Sequence, residues 1–168
     1  PAVSVIIPTC NRAWCLAEAL DSVLAQEEAG VELIVVDDGS TDGTAQLLAG
    51  YGETIRVLRQ ENRGVSAARN AGIAAAQAEL LAFLDSDDTW TADKLEVCLD
   101  VLQAGGFDWV VSSYVRTDLG SESPPVVKRL SPPQWNPATG EVHLLIDGIF
   151  FFSELAVNTG AVLARRSC

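Results

Sequence analysis

Glu79–Asp88 reads ELLAFLDSDD, and the fold turns on how this stretch is interpreted. Leu80, Leu81, Ala82, Phe83 and Leu84 form an unbroken apolar run. Such a run suits a strand buried on both faces of a parallel sheet. It stops at Asp85-Ser86-Asp87-Asp88, where carboxylates crowd together. Burying one unpaired carboxylate is costly, and several so close repel one another. The cluster therefore belongs at an open strand end, beside a cation or ample water. Hard oxygen donors suit Mg²⁺ or Mn²⁺, and Mg²⁺ commonly takes one or two carboxylates together with phosphate oxygens. Two readings stay open on this stretch alone. One is a divalent metal holding a diphosphate; the other is an acidic turn leading into a helix capped by Thr91.

Outward from this stretch, strand and helix patterns alternate. Val3–Ile7 (VSVII), closed by Pro8, and Glu32–Val36 (ELIVV) are further apolar strands. Ile55–Arg59 (IRVLR) alternates and predicts a third, more exposed strand. Trp14–Gln26 carries Leu16, Ala19, Leu20, Val23 and Leu24 at helical spacing. Asp42–Leu48 predicts a short helix with Ser40 or Thr41 as its cap, and Ala67–Ala78 an Ala-rich helix capped by Ser66. Thr91–Gln103 places Leu95, Cys98, Leu99 and Leu102 on one helical face, and Gly105-Gly106 stops it. Phe107–Tyr114 predicts one more strand. This order argues for an α/β fold, a mostly parallel central sheet with flanking helices. From Pro124 to Pro137 prolines are dense, so 119–140 is expected to be irregular. A helix around Glu141–Ile146 and a strand around Gly160–Ala164 are expected to follow.

At 168 residues the chain fits one domain with a real core, and 48% hydrophobic with 20% charged residues is a globular composition. The net charge of −12 argues against wrapping nucleic acid or lying on an anionic membrane through a general basic field. An anionic ligand would need local devices: a metal, helix N-termini or single arginines. No apolar run reaches membrane-spanning length, and PAVSVIIP is too short for a signal peptide. Cys10, Cys15, Cys98 and Cys168 lack zinc or CxxC spacing, and read as thiols in a reducing cytoplasm. A cytoplasmic protein, at most peripheral at the inner face of the membrane, is expected.

Three strand ends carry polar residues: Pro8-Thr9-Cys10-Asn11-Arg12, Asp37-Asp38-Gly39-Ser40 and Asp85-Ser86-Asp87-Asp88. Open parallel sheets bind ligands beyond the carboxyl ends of their strands. One of the adjacent carboxylates Asp37 and Asp38 suffices for a helix cap. The other can accept hydrogen bonds from a nucleobase N–H or a ribose hydroxyl. Neither GxGxxG after the first strand nor GxxxxGK[ST] is present, which argues against a Rossmann oxidoreductase or a P-loop enzyme.

Four blocks, VSVIIPTCNR, ELIVVDDGSTDGT, NRGVSAARNAGI and LLAFLDSDDTW, resemble the family 2 glycosyltransferases of GT-A fold. They cover residues 3–95 in the family's order and spacing; NTGAVLARR (158–166) is a weaker match. The resemblance implies a single GT-A-type nucleotide-sugar-binding domain over 1–168. It also implies a hexosyltransferase-type enzyme of polysaccharide biosynthesis, inverting and metal-assisted. The donor would usually be a UDP-sugar, with GDP- or dTDP-sugars as alternatives, and the acceptor a hydroxyl on a glycan, lipid-linked or protein partner. It implies that Pro8, Thr9 and Asn11 line the nucleotide-sugar site, and that Asp38, with Asp37 beside it, meets the base. Arg69 would lie near the base or phosphates. Asp85-Ser86-Asp87 would be the DxD motif, with Asp87 or Asp88 holding Mn²⁺ or Mg²⁺ on the diphosphate. A metal there acts as a Lewis acid for the leaving group, and a carboxylate deprotonates the acceptor.

One departure matters. The family's base follows the segment resembling NTGAVLARR, whereas only Ser167 and Cys168 follow Arg166 here, and Asp147 and Glu154 precede it. A C-terminally truncated chain is therefore expected, with the catalytic base beyond Cys168. A sugar-nucleotide-binding module without catalysis is the alternative. A phosphoacceptor receiver domain would need a lysine at a late strand end, and Lys94 and Lys128 are not so placed. A sugar-1-phosphate nucleotidyltransferase would want a Gly-rich, Lys-containing first loop. Trp14 and Trp90 either stack on ligand or anchor helix starts on the core, and Trp109 is expected in the core. Arg63 and Arg69 are candidate phosphate partners, with Arg12 either that or a surface residue.

Overall fold

The computed structural model describes residues 2–26, 30–105, 108–112, 114–116, 126–128, 134–136, 141–143 and 162–167. The first half alternates strictly: β1 (Val3–Thr9), α1 (Leu16–Leu24), β2 (Val31–Asp38), α2 (Thr44–Gly50), β3 (Arg56–Gln60), α3 (Val65–Ala75), β4 (Leu80–Phe83) and α4 (Lys94–Gly105). Short strands follow: β5 (Trp109–Val111), β6 (Tyr114–Arg116), β7 (Val126–Lys128), β8 (Gln134–Asn136), β9 (Glu141–His143) and β10 (Val162–Arg165). The central sheet has the order β3-β2-β1-β4-β10-β5. β1 to β4 are parallel, and β10 runs antiparallel to both its neighbours. Two antiparallel pairs, β6 with β7 and β8 with β9, form separate ladders. The expected α/β class with a mostly parallel sheet is what the chain adopts.

Strand order explains the layers. The chain steps from β1 to β2 to β3 in one direction, then returns past β1 to place β4. Right-handed crossovers then put α1 and α2 on one face and α3 on the other. The cores agree. Val3, Val5, Ile7, Leu33 and Val35 pack with Leu16, Leu20, Val23, Leu48 and Leu95. Ile6, Ile34 and Val36 pack with Ala68, Ala76 and Leu81. The alternation of strand side chains divides these two sets. Gly72 of α3 lies directly on Ile6, where any Cβ would collide with the Ile6 side chain.

Several expectations are corrected. β9 is a strand over Glu141–His143 where a helix was expected, because its backbone pairs antiparallel with β8. Phe107–Tyr114 was expected as one strand; two, β5 and β6, lie in that region. Trp109 is 54% exposed and not in the core, since β5 is the edge strand of the sheet. The Pro-rich 119–140 stretch contains β7 and β8, and its prolines lie outside the described residues. So do Asp147, Glu154 and Cys168. No side chain caps α2 or α3; Gly43 and Gly64 stand at their N-caps. Ser40 is drawn off to accept the Asn11 N–H, and Ser66 lies inside α3. Among the described residues, no helix is long and apolar enough to cross a membrane.

Candidate nucleotide-sugar site

The switch point between β1 and β4 opens a crevice at the carboxyl edge of the sheet. Register keeps its walls level. Thr9 pairs with Asp37, Ile6 with Phe83, and the Leu84 N–H still reaches the Ile6 carbonyl at 3.1 Å. A cleft of ≈ 300 Å³ lies there. Its walls include Pro8, Thr9, Cys10 and Arg12 from the β1 end, Asp38 from β2, Ala68 and Arg69 from α3, and Asp85, Ser86 and Asp87 after β4. Its volume is at the small end of the range for ligand sites.

Asp38 is buried, and its carboxylate is largely committed. Oδ1 accepts from Gln60 Nε2 (2.7 Å) and the Arg63 N–H (2.9 Å), and Oδ2 from the Gly64 N–H (2.8 Å). Burial alone would push this carboxyl up. The Arg63 N–H, the Gln60 amide and the Gly64 N–H outweigh it and hold the group below the ordinary carboxylate range. A carboxylate offers about four acceptor sites, so about one remains for a ligand N–H. Gly64 reaches Asp38 with φ +88°, a backbone state that glycine adopts without a Cβ penalty. At the β1 end, Thr9 Oγ1 is buried and has no hydrogen-bond partner among the described residues. An orphaned hydroxyl in a cleft wall is costly unless a ligand or water meets it.

The other end of the cleft is charged. Arg69 Nη2 donates to Asp85 Oδ1 at 2.6 Å, and Arg12 Nη2 stands 3.7 Å from Asp87 Oδ2. Asp87 keeps 48% of its side chain exposed, the more open of these two carboxylates. Ser86 is buried, and its carbonyl accepts the Cys15 S–H at 3.4 Å. Burial, and then the negative Asp87, push the Cys15 thiol up, so it is a donor there and not a thiolate.

Seven of the residues named from sequence thus converge on one cleft: Pro8, Thr9, Asp38, Arg69, Asp85, Ser86 and Asp87. Asn11, Asp37 and Asp88 are not among its walls. Asn11 sits at φ +55°, and its Oδ1 accepts the Thr41 and Asp42 N–H groups at 2.8 and 3.2 Å. It ties the β1 loop to the β2 loop. Asp37 accepts the Ser40 N–H at 2.9 Å and stands 3.5 Å from Arg59 Nε. Strand parity separates it from Asp38: Asp37 shares a face with Leu33 and Val35, Asp38 with Ile34 and Val36 on the α3 side. That parity was a usable sequence signal. Asp88 closes the turn through its own N–H to the Asp85 carbonyl at 3.0 Å. Arg12, read from sequence as either a phosphate partner or a surface residue, is among the walls, as is Cys10 of the same strand end; Val65 and Ala68 are walls that sequence reasoning did not single out. Arg12 has no local signal for its direction toward Asp87. Trp90 packs against the core, whereas Trp14 is 68% exposed and anchors nothing there.

Among the described residues, no three His, Cys, Asp or Glu side chains form a cage that could hold a metal alone. The donor chemistry still fits a hard cation, because Mg²⁺ commonly takes one or two carboxylates and completes its shell with phosphate oxygens and water.

Comparison with known proteins agrees with this geometry. The profile described as Glycosyl transferase family 2 matches residues 4–156. The glycosyltransferase alr2836 of Nostoc sp., described as uncharacterized, is 43% identical over 105 residues, 60% of this chain and 33% of that protein. The structure of S. aureus TarS 1-349 in complex with UDP-GlcNAc is 27% identical with TM-score 0.62, covering 74% of this chain and 37% of that one. TarS 1-349 alone superposes over 99% of this chain and 48% of its own with TM-score 0.72 at 23% identity, a likeness of GT-A fold. The mannosyltransferase PcManGT of Pyrobaculum calidifontis, in complex with GDP-Man and Mn²⁺, is 30% identical with TM-score 0.58, covering 67% and 35%. The chain spans less than half the length of curated relatives such as a Rickettsia bellii glycosyltransferase (17%) and TuaG of Bacillus subtilis (42%). It belongs to glycosyl transferase family 2.

Proposed function

We propose that the cleft binds a nucleotide-sugar donor, a UDP-sugar first, and that residues 1–168 act as the donor-binding domain of an inverting, metal-assisted glycosyltransferase. The single observation that carries this reading is the polarity of the cleft from end to end. Asp38, with about one acceptor site left, stands at one end; Arg69, Asp85, Asp87 and Arg12 stand at the other. A uracil ring offers one N–H and matches a single remaining acceptor, whereas guanine offers adjacent donors. Pro8 and the orphaned Thr9 hydroxyl line the nucleoside, and Ala68 leaves room beside them.

At the charged end, Arg69 is oriented by Asp85 and Arg12 by Asp87. Both guanidiniums are set to meet phosphate oxygens. Asp87, with Asp88, would hold Mn²⁺ or Mg²⁺, which when bound neutralises charge developing on the leaving diphosphate. Asp85 serves Arg69 in this scheme, and the buried Ser86 fixes the turn between them. The acceptor hydroxyl then attacks the anomeric carbon from the face opposite the diphosphate. No residue of this cleft is assigned as the acceptor's base.

The test is thermal unfolding of the chain with UDP, with and without Mn²⁺. A ligand at about 100 times its Kd stabilises by about 2.7 kcal/mol, which moves Tm by several degrees. UDP with Mn²⁺ should raise Tm, and Asp87→Ala should remove the metal-dependent part of the rise. Absence of any shift with UDP, GDP or dTDP plus metal would overturn the reading.

A further inference from the structure

The acidic loop between β4 and α4 is gripped from behind by one helix. Cys15 Sγ donates to the Ser86 carbonyl at 3.4 Å. Ser22 Oγ accepts the Trp90 N–H at 3.1 Å. Gln26 Nε2 donates to the Thr91 carbonyl at 2.8 Å, and Gln26 Oε1 accepts the Leu95 N–H at 3.0 Å. Cys15 is the N-cap of α1, and Gln26 directly follows its C-cap. Spacings of seven and eleven residues put all three within about 40° on a 3.6-residue helix. One polar line along α1 thus meets the loop at its acidic turn, its middle and its junction with α4.

The neighbours on α1 have a different job. Leu16, Ala19, Leu20 and Val23 supply the apolar face. Gln26 is buried at 5% exposure, where an amide is costly unless it is bonded. Leucine would fill the same space without that demand. What glutamine adds is direction, because its amide fixes one carbonyl and one N–H at chosen places. The Leu95 N–H belongs to the first turn of α4, which has no partner inside its own helix. The loop has few backbone bonds of its own; Asp88 N–H to Asp85 and Lys94 N–H to Thr91 are two.

We propose that Gln26, seconded by Ser22, is a positioning residue that sets Asp85–Asp88 against the β1 wall of the cleft. It touches no ligand and acts through the loop. The proposal rests on the donor-site reading above, which assigns the diphosphate and its metal to that loop.

Two measurements on the full chain separate the two ideas. Hydrogen exchange without ligand reads the grip itself, and calorimetric UDP binding with and without Mn²⁺ reads its consequence. Gln26→Leu should speed exchange across 84–95, leaving β1 and β2 amides unchanged. It should weaken the metal-dependent part of UDP affinity by about tenfold, the scale found for residues that orient metal ligands. Metal-free UDP affinity should stay within about twofold, because Asp38 and Thr9 are untouched, which a general loss of folding would not permit. Gln26→Glu, which keeps the acceptor for Leu95, should recover part of both effects. Ser22→Ala should give a smaller loss of the same kind, and it decides the matter if Gln26→Leu does not fold. Unchanged exchange in both variants, or faster exchange with metal-dependent affinity intact, overturns the proposal. Wild-type protein whose UDP binding ignores metal overturns the donor-site reading instead, and the exchange data still judge the grip.

Discussion

The β2 and β4 ends of the sheet both carry adjacent carboxylates, yet they have opposite characters. At the β2 end the protein supplies the hydrogen bonds: Asp37 and Asp38 are buried and meet N–H groups from Ser40, Gln60, Arg63 and Gly64. At the β4 end Asp85 and Asp87 face the guanidiniums of Arg69 and Arg12, and Asp87 is half exposed. Two acidic pairs on one edge therefore divide the labour. The first organises loops around a nearly filled acceptor. The second keeps charge within reach of solvent and of whatever binds. Charge-assisted bonds to backbone lock a carboxylate in place, whereas an exposed ion pair at 3.7 Å is weak enough to exchange.

The contrast can be broken most sharply at Asp38. Asp38→Ala removes three hydrogen bonds and should cost about 2–3 kcal/mol of stability by denaturant titration, because bonds to a charged group are the strong ones. A loss no larger than at a surface carboxylate would erase the distinction between the two ends. Gly39→Ala probes the same end through the backbone. Gly39 has φ +78°, and a Cβ there would lie 2.8 Å from the Asn62 nitrogen. About 1–2 kcal/mol is expected, measured in the same way. Asp87→Ala should alter stability by less than about 0.5 kcal/mol while abolishing the metal-dependent Tm shift, the reverse of the Asp38 result.

Acid titration sharpens the comparison further. At Asp38 burial raises the carboxyl, but donated hydrogen bonds overcome it; Glu32, bonded by Ser4 and the Gln77 N–H, behaves alike. Both folded-state values lie below the ordinary one, so the unfolded chain binds more protons as pH falls. Their stabilisation is complete above the ordinary carboxylate range, about pH 4, and is lost as pH drops through the lowered values. Asp38→Asn should flatten the fall of denaturation midpoint with acid.

How far these features were legible depends on what each residue needed from its neighbours. Buried parallel strands announce themselves as apolar runs, so β1, β2 and β4 and the polar residues just beyond them were readable. Pro8, Thr9, Asp38 and Asp85 follow from that alone. Asn11 was not, because its left-handed backbone and its bonds to Thr41 and Asp42 depend on the second loop lying beside the first. Arg12 has a long side chain whose direction is set by Asp87 across the cleft. Gln26 sits at a helix end and looks like surface until the loop folds over it. β9 failed for a related reason, since a three-residue strand takes its identity from its partner β8 and not from its own period.

The sheet order also governs when the molecule can be finished. β4 carries the acidic loop, yet its outer edge is paired by β10, a strand far along the chain, and β5 joins the sheet through β10. A nascent chain emerging from the ribosome would hold β3-β2-β1-β4 with a bare edge on the strand that matters most. Such an edge is an aggregation template until covered. Its closure is a high-contact-order step, so β4 completes last although it lies in the middle of the sequence, and β5 must wait for a strand synthesised after it.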